Sequence, residues 1–426
     1  MTQFNANVFQ NEYLPEGGQV VDAVVTVTAT EGGTVEPVAE VVEVIVIDVS
    51  GSMNEDGGAK IASARQATAA AIDVLRDGVK FAVVAGNHEA RVLYPRSPQL
   101  AVSSPQTRAD AKAFVAEVQG DGGTAMGTWL RGARSLIQGH EDAVAHVILL
   151  TDGRNEHEQP WELDAAIADC VGVFECDCRG LGAKWEVDEL RKISNALLGT
   201  TDIIPSPAEM ADEFRALTEQ TMSKSVTNVA LRLWNPKGSD IEFVKQVAPT
   251  LEDLTTKAEP VDALTADYPL GSWGDGETRD YHVRIRIPVG NVGDERLAAR
   301  VMLAVNDVSE PVALVRAVWT NDEGLSTRIN REVAHYTGQA ELADAIATGL
   351  AARQSGDERE ATMRLGRAVQ LAHENGNDDT VRLLQRVVEV DDPKTGTVRL
   401  KRAVDEADAM ALDVRSTRTV RVNRKG

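Results

Sequence analysis

The stretch VIVIDVSGSM, residues 44–53, places an acid at Asp48 and hydroxyls at Ser50 and Ser52, two and four positions further on. A second acid, Asp152, follows AHVILLT and precedes Gly153, and Thr124 sits in DGGTAMGTWL, a glycine-flanked stretch that leads into a helical pattern. Two carboxylates and three hydroxyls are hard oxygen donors. They suit Mg²⁺ or Mn²⁺ in octahedral geometry with some water retained, and neither a soft ligand nor histidine is required. Alternate residues can turn both serine hydroxyls the same way, and Gly51 between them lets the backbone fold closely around a small ion. The competing reading is that Ser50 and Ser52 cap a helix beginning near Ala59.

Positioning these groups requires strands that end where they stand. From residue 41 the pattern alternates buried strands with helices: VVEVIVI, AKIASARQATAAAIDVLRDG, KFAVVAG, ARVLYP, SPQTRADAKAFVAEVQG, GTWLRGARSLIQG, AHVILLT, PWELDAAIADC, VGVFECDC, VDELRKISNAL, TDII and SPAEMADEFRALTEQTMSK. Such alternation predicts an α/β domain over 41–224, with a doubly wound, parallel-type sheet covered on both faces. Ligands of such sheets bind where strands reach their carboxyl ends, which is where Asp48 and Asp152 fall. The segment VDAVVTVTA, residues 21–29, has period two, and so have VTNVALRLW, YHVRIRIPV, LAARVMLAV and EPVALVRAVWT after residue 225. The early strands are too few to be stable alone, so one β-sandwich built from 1–40 and 225–325 is expected, with the α/β domain inserted. A helical cap over 326–390 follows, and then, over 391–426, a short helix between mobile segments and a tail bearing Arg415, Arg418, Arg421, Arg424 and Lys425. The plain expectation for that tail is a solvated one.

Composition narrows the function classes. Acids outnumber bases 66 to 44, and a formal charge of −22 argues against non-specific nucleic-acid binding, which depends on neutralising phosphates. No apolar stretch approaches the ~18 residues of a membrane span. MTQFNANVFQNEYLPEGG lacks the basic and apolar regions of an export signal, so a cytoplasmic protein is expected. Cys170, Cys176 and Cys178 are too few and too clustered for a disulfide framework. Phe174, Cys176 and Cys178 alternate as buried strand residues do, so packing is the expected role of the thiols.

Asp48-x-Ser50-x-Ser52, then Thr124 in GGT, then Asp152 in TDG resembles the von Willebrand factor A domain family at its metal-ion-dependent adhesion site, in order and with every oxygen donor present. The resemblance covers residues 41–224. It implies that Ser50, Ser52 and Thr124 contact a metal through their hydroxyls, that Asp48 and Asp152 hold it directly or through water, and that one coordination position stays open for an Asp or Glu of a partner protein. Mg²⁺ is the expected ion, with Mn²⁺ or Ca²⁺ as substitutes. Asn54 and Asp121 share the same loops and could support the ligands, while His88 in GNHEARV reads as a hairpin-loop histidine, the alternative being one that reaches the rim of the site.

A non-enzymatic role is expected. A haloacid-dehalogenase-type phosphotransferase needs a second carboxylate two residues after the first, and Ser50 stands there. The sequence has no G-x-x-x-x-G-K-[ST], no G-x-S-x-G and no H-E-x-x-H. The inserted arrangement resembles bacterial cytoplasmic A-domain scaffolds associated with Ser/Thr kinases and forkhead-associated domains, and Thr395, Thr397, Thr417 and Thr419 lie among basic residues, Thr417-x-x-Val420 being a candidate phosphothreonine motif. The alternative is a chelatase-like subunit serving an AAA+ ATPase of the MoxR type in trans.

Overall fold

The computed structural model describes residues 3–30, 40–97, 99–140, 142–305 and 308–422. The chain divides into two compact units: one contains residues 1–36 and 228–426, the other residues 37–227.

The second unit is built on one sheet. Its strands lie in the order Thr201–Ile204, Glu175–Leu181, Val144–Thr151, Val41–Asp48, Lys80–Gly86 and Ala90–Tyr94, with Ala101–Val102 also paired to Lys80–Gly86. The first five are parallel, and Ala90–Tyr94 is an antiparallel edge. Every residue of Val41–Asp48 and of Val144–Thr151 is buried, as strands covered on both faces must be. Helices Glu55–Val74 and Met210–Ser223 share one core with the sheet through Ala64, Ala67, Ile72, Phe214 and Leu217. Trp129 of the Met126–Ile137 helix is fully buried, and its indole N–H donates to the Asn87 carbonyl at 2.7 Å. The chain enters at Val41–Asp48, adds Lys80–Gly86 on one side, then crosses to Val144–Thr151 on the other. That reversal makes a crevice at the carboxyl ends of the first and third of these strands.

Beneath the same sheet runs a row of buried charges. Glu43 pairs in register with His146, whose Nδ1 lies 2.9 Å from Glu43 Oε1 while its Nε2 lies 2.9 Å from Asp177 Oδ2. Arg179 Nε donates to Glu213 Oε1 of the Met210–Ser223 helix at 2.6 Å. Burial works against the His146 charge, but Glu43 and Asp177 push its pKa up to about 10. Asp177 is held well below the usual carboxylate range, against its own burial, by His146 and Arg179. Cys170, Cys176 and Cys178 are free thiols and buried, the sulfurs of Cys176 and Cys178 being 3.9 Å apart.

In the first unit a five-stranded sheet orders Gln3–Gln10, Val20–Thr30, Thr278–Arg286, Asp240–Ala248 and Glu252–Asp253. A six-stranded sheet contains Lys224–Trp234, Thr265–Gly274, Glu295–Val305 and Val308–Trp319, with Glu259–Asp262 and Tyr13–Leu14 at its edges. Phe4 of one sheet meets Trp273 of the other edge to face, at 5.5 Å between ring centroids. Val20–Thr30 pairs along its length with Thr278–Arg286, so segments that precede and follow the intervening unit in sequence share one sheet. Helices Arg331–Ser355, Glu358–Glu374 and Asp378–Val387 follow, each opened by an Asn or Asp whose side chain accepts from the first-turn backbone.

The C-terminal segment differs from the mobile, solvated one expected. Val388–Asp392 and Thr397–Leu400 form a hairpin. Residues beyond the Glu406–Arg415 helix dock on the first unit's own sheet: Leu251 N–H donates to Thr417 O at 2.8 Å, Thr419 N–H to Pro249 O at 3.0 Å, and Thr419 Oγ1 to Val247 O at 2.6 Å. Arg421 reaches Asp280 at 3.5 Å, and Val422 packs with Val24, Val247 and Tyr336. Alternating Thr and Val give this stretch a face for strand-like docking, which its run of arginines obscures. A phosphothreonine reader would have to peel Thr417–Val420 from these backbone partners. Arg424 and Lys425 lie outside the described residues.

Replacing His146 with Ala leaves Glu43 buried and uncompensated, and is expected to cost about 3 kcal/mol or more in urea unfolding at pH 7. Because the folded pKa is raised from 6.5 to about 10, the imidazolium contribution is complete below about pH 6.5 and is lost as pH rises toward 10. Unfolding midpoints across that window should fall in the wild type, and much less in His146→Ala.

Candidate metal centre

The crevice holds the five oxygen-bearing residues. Val41–Asp48 and Val144–Thr151 run in register with Ile47 beside Leu150, so Asp48 lies alongside Thr151 and one residue from Asp152. Asp48 and Asp152 are both fully buried. Asp48 Oδ1 accepts from the Ser50 backbone N–H at 2.7 Å, and Oδ2 from Thr151 Oγ1 at 2.7 Å. Ser50 Oγ and Ser52 Oγ are 3.0 Å apart, and Ser52 Oγ donates to Asp152 Oδ1 at 2.6 Å. A methyl group placed on Gly153 would stand 3.7 Å from Ser52 Oγ and 3.8 Å from Thr124 Oγ1, so the third hydroxyl faces the same space.

Local sequence explains the arrangement. Ser50 precedes a short 3₁₀ turn, Gly51–Asn54, and makes no side-chain capping bond, while Ser52 is committed to Asp152. Neither serine caps the helix. Gly51 N–H donates to Gly122 O at 2.9 Å and Asp121 N–H to Val49 O at 2.6 Å, which fastens the Thr124 loop to the end of the first strand. Asn54 Nδ2 donates to Gly120 O at 2.7 Å, so Asn54 braces that loop rather than the oxygen-bearing side chains. Asp121 contributes its backbone, its carbonyl accepting from Asn87 Nδ2 at 2.9 Å. The His88 ring lies against Gly122 and so reaches this loop.

Four positioning groups were invisible in the sequence. His157 receives the Thr124 N–H on its ring Nδ1 at 3.1 Å and donates its backbone N–H to Thr124 O at 2.9 Å; a Cβ at position 123 would overlap its ring, so Gly123 is required. Asn155 Oδ1 accepts from Met126 N–H at 2.8 Å, and Thr151 steadies Asp48. Lys60 is the fourth. Gly57 and Gly58 take left-handed φ angles of 68° and 82°, which distort the start of the Glu55–Val74 helix and leave Lys60 at the onset of its regular turns. Its Nζ lies 2.5 Å from Asp152 Oδ2 and 3.3 Å from Glu55 Oε2, and Glu55 also takes Lys184 Nζ at 2.7 Å. A lysine near an N-terminal helix turn reads as surface charge, and only the fold turns it inward.

Electrostatically the centre is two buried anions side by side. Burial pushes the Asp48 carboxyl up to about 6; the bonds from Ser50 and Thr151 oppose this, and the Asp152 charge adds to it. Burial disfavours the Lys60 ammonium, but Asp152 outweighs that and raises its pKa. The donor set fits a hard dication. Cis oxygens in a Mg²⁺ octahedron with ~2.1 Å bonds lie about 3.0 Å apart, the separation of the two serine hydroxyls. Among the described residues no group of three or more His, Cys, Asp or Glu gathers as a rival metal site.

An α/β sheet carrying a hydroxyl-rich site at its switch point defines the class, and comparison with known proteins supplies the family. The profile described as von Willebrand factor type A domain matches residues 42–203, and that described as von Willebrand factor type A C-terminal domain matches residues 370–416. A structure of von Willebrand factor type A from Catenulispora acidiphila is 50% identical, covers 99% of this chain and 98% of that one, and superposes with a TM-score of 0.93. This chain belongs to the von Willebrand factor type A family. The ArnB paralog VWA2 from Sulfolobus acidocaldarius, 13% identical over 99% of this chain and 100% of that one with a TM-score of 0.56, shares the fold. An uncharacterised protein of Synechocystis sp. is 30% identical over 226 residues, 50% of each chain, so this chain spans about half the length of that curated relative. Among the described residues no helix is long and apolar enough to cross a membrane.

The raised Asp48 pKa has a measurable sign. The folded state holds this proton more tightly than the unfolded chain, so metal-free stability falls as pH rises from 3.8 to about 6 and the loss is complete above. Asp48→Asn removes the charge: its Oδ1 can still accept from the Ser50 N–H, and its Nδ2 can donate to Thr151 Oγ1 once that hydroxyl turns to act as acceptor. In chelator at pH 7.5 it should unfold about 1–2 kcal/mol later than wild type, and it should no longer be stabilised by added metal.

Proposed function

We propose that Asp48, Ser50, Ser52, Thr124 and Asp152 form a metal-ion-dependent adhesion site and that the chain is a non-catalytic protein-binding module. The reading rests on one observation: three neutral hydroxyls and two buried carboxylates face a common space at the sheet's switch point, with the serine oxygens at the spacing of cis ligands. The ion, Mg²⁺ by cellular availability with Mn²⁺ or Ca²⁺ as substitutes, would supply an electrophile for a partner's carboxylate. Neutral hydroxyls leave it short of negative charge, so an Asp or Glu from another protein can complete the sphere. Both Asp48 oxygens already accept hydrogen bonds, which suits a structural anion better than a proton-transfer base. Trp161, in the first turn of the helix after the Asp152 loop, is 66% exposed and offers an aromatic contact of the kind that anchors interfaces. Three buried free thiols suit the reducing cytoplasm, where such a scaffold would act.

Titration calorimetry with Mg²⁺ and Mn²⁺, paired with capture of partners from native lysate with and without chelator, tests this reading. Asp48→Ala and Asp152→Ala are expected to abolish metal uptake and capture while the circular dichroism stays native. Capture that persists undiminished in excess EDTA would overturn the mechanism. A metal-dependent catch of an AAA+ ATPase would point to the chelatase-like role, and a kinase or phosphopeptide reader to a signalling scaffold.

A further inference from the structure

Lys60 stands where a cation is wanted. Its ammonium lies 2.5 Å from Asp152 Oδ2, within the group of side chains assigned to the metal, and the residue is only 9% exposed. We propose that Lys60 is a tethered counter-cation that competes with the divalent ion for Asp152, holding the oxygen cluster together when metal is absent and setting metal affinity through its displacement. The inference rests on the reading that these five residues take a metal.

Three observations carry it. First, Asp48 and Asp152 are both fully buried, and two such anions without a counter-charge would repel each other and strain the ends of their strands. Lys60 leaves the trio with a net charge of one negative, enough to assemble and still to attract a dication. Second, both Asp152 oxygens are engaged in this state, Oδ1 by the Ser52 hydroxyl and Oδ2 by Lys60, so a metal drawing on this carboxylate must displace or weaken at least one partner. A dication and an ammonium sharing one carboxylate repel strongly at low dielectric. Third, the ammonium has a place to go. Glu55 Oε2 is already 3.3 Å from Nζ, and Glu55 is about half exposed at the mouth of the crevice. A lysine stem is flexible enough to make that swing, whereas a guanidinium fork would hold the carboxylate more rigidly. Glu55 also carries Lys184 at 2.7 Å, so arrival of Lys60 would crowd a second cation at the rim where a partner would dock.

The test compares wild type, Lys60→Met and Lys60→Arg by calorimetric titration with Mg²⁺ and Mn²⁺ and by thermal unfolding in chelator and in saturating metal. Lys60→Met is expected to bind either metal at least about tenfold tighter, to melt several degrees lower than wild type in chelator, and to regain most of that loss in saturating metal. Lys60→Arg is expected to keep the metal-free melting temperature and bind metal no more tightly than wild type. Lys60→Gln, which keeps a hydrogen bond to Asp152, reads the same affinity change should the Met variant not fold. Wild-type binding with equal or weaker binding in Lys60→Met or Lys60→Gln would overturn the competition alone. Absence of metal uptake by all variants would overturn both this inference and the adhesion-site reading.

Discussion

Two carboxylates buried side by side at the ends of adjacent strands are the constraint on which the site depends. Asp48 and Asp152 are both fully buried, so every neighbour acts as compensation: the Ser50 amide, the Thr151 hydroxyl, the Ser52 hydroxyl and the Lys60 ammonium. Ser50 and Ser52 share one short segment while Thr151 and Lys60 come from two others, and backbone bonds from Gly51 to Gly122 and from Asp121 to Val49 tie the serine segment to the Thr124 loop. The geometry of the oxygens is thus a product of charge compensation, and the loops are folded around it. A dication satisfies the same demand with one ion, which is why an oxygen cluster of this kind suits metal.

The sheet supplies the other half of the constraint. Because Val41–Asp48 is flanked by Lys80–Gly86 on one side and Val144–Thr151 on the other, the chain must reverse direction across the sheet beside Asp48. The helices that follow Val41–Asp48 and Val144–Thr151 therefore lead to opposite sides of the sheet, and the space between them cannot be filled by packing. Loops fill it, and polar side chains at strand ends find hydrogen-bonding partners there without burying unpaired backbone.

Sequence reading reached the parts of this that follow from residue type and period. Asp48, Ser50, Ser52, Thr124 and Asp152 carry their chemistry in their identities, and strands such as VVEVIVI and AHVILLT are long enough to leave no rival reading. It did not reach Asp240–Ala248, where register shifts between Ile241 and Phe243 and between Gln246 and Ala248 break the alternation, nor Gln3–Gln10, whose asparagines and glutamines look like loop. The docked segment after Arg415 was obscured by its charge: arginines read as solvated, yet Thr417 and Thr419 place their backbones on the sheet. Lys60 and His157 were out of reach for a different reason. Both act through contacts with residues distant in sequence, and nothing local distinguishes a lysine facing solvent from one facing Asp152.

The same sheet solves the problem of buried acids twice, in two ways that differ in reversibility. Toward the amino ends of the strands, Glu43 and Asp177 share His146, a short and fully enclosed base held on both ring nitrogens. That compensation can be undone only by unfolding or by titration near pH 10. At the carboxyl end of the same strand, Asp152 is paired with a lysine on a four-carbon stem whose second partner, Glu55, lies partly in solvent. Here the counter-charge can leave without disturbing the core. A fixed cation makes a scaffold and a removable one makes a site, and the contrast between His146 and Lys60 locates the exchangeable charge at the end of the sheet where the loops converge.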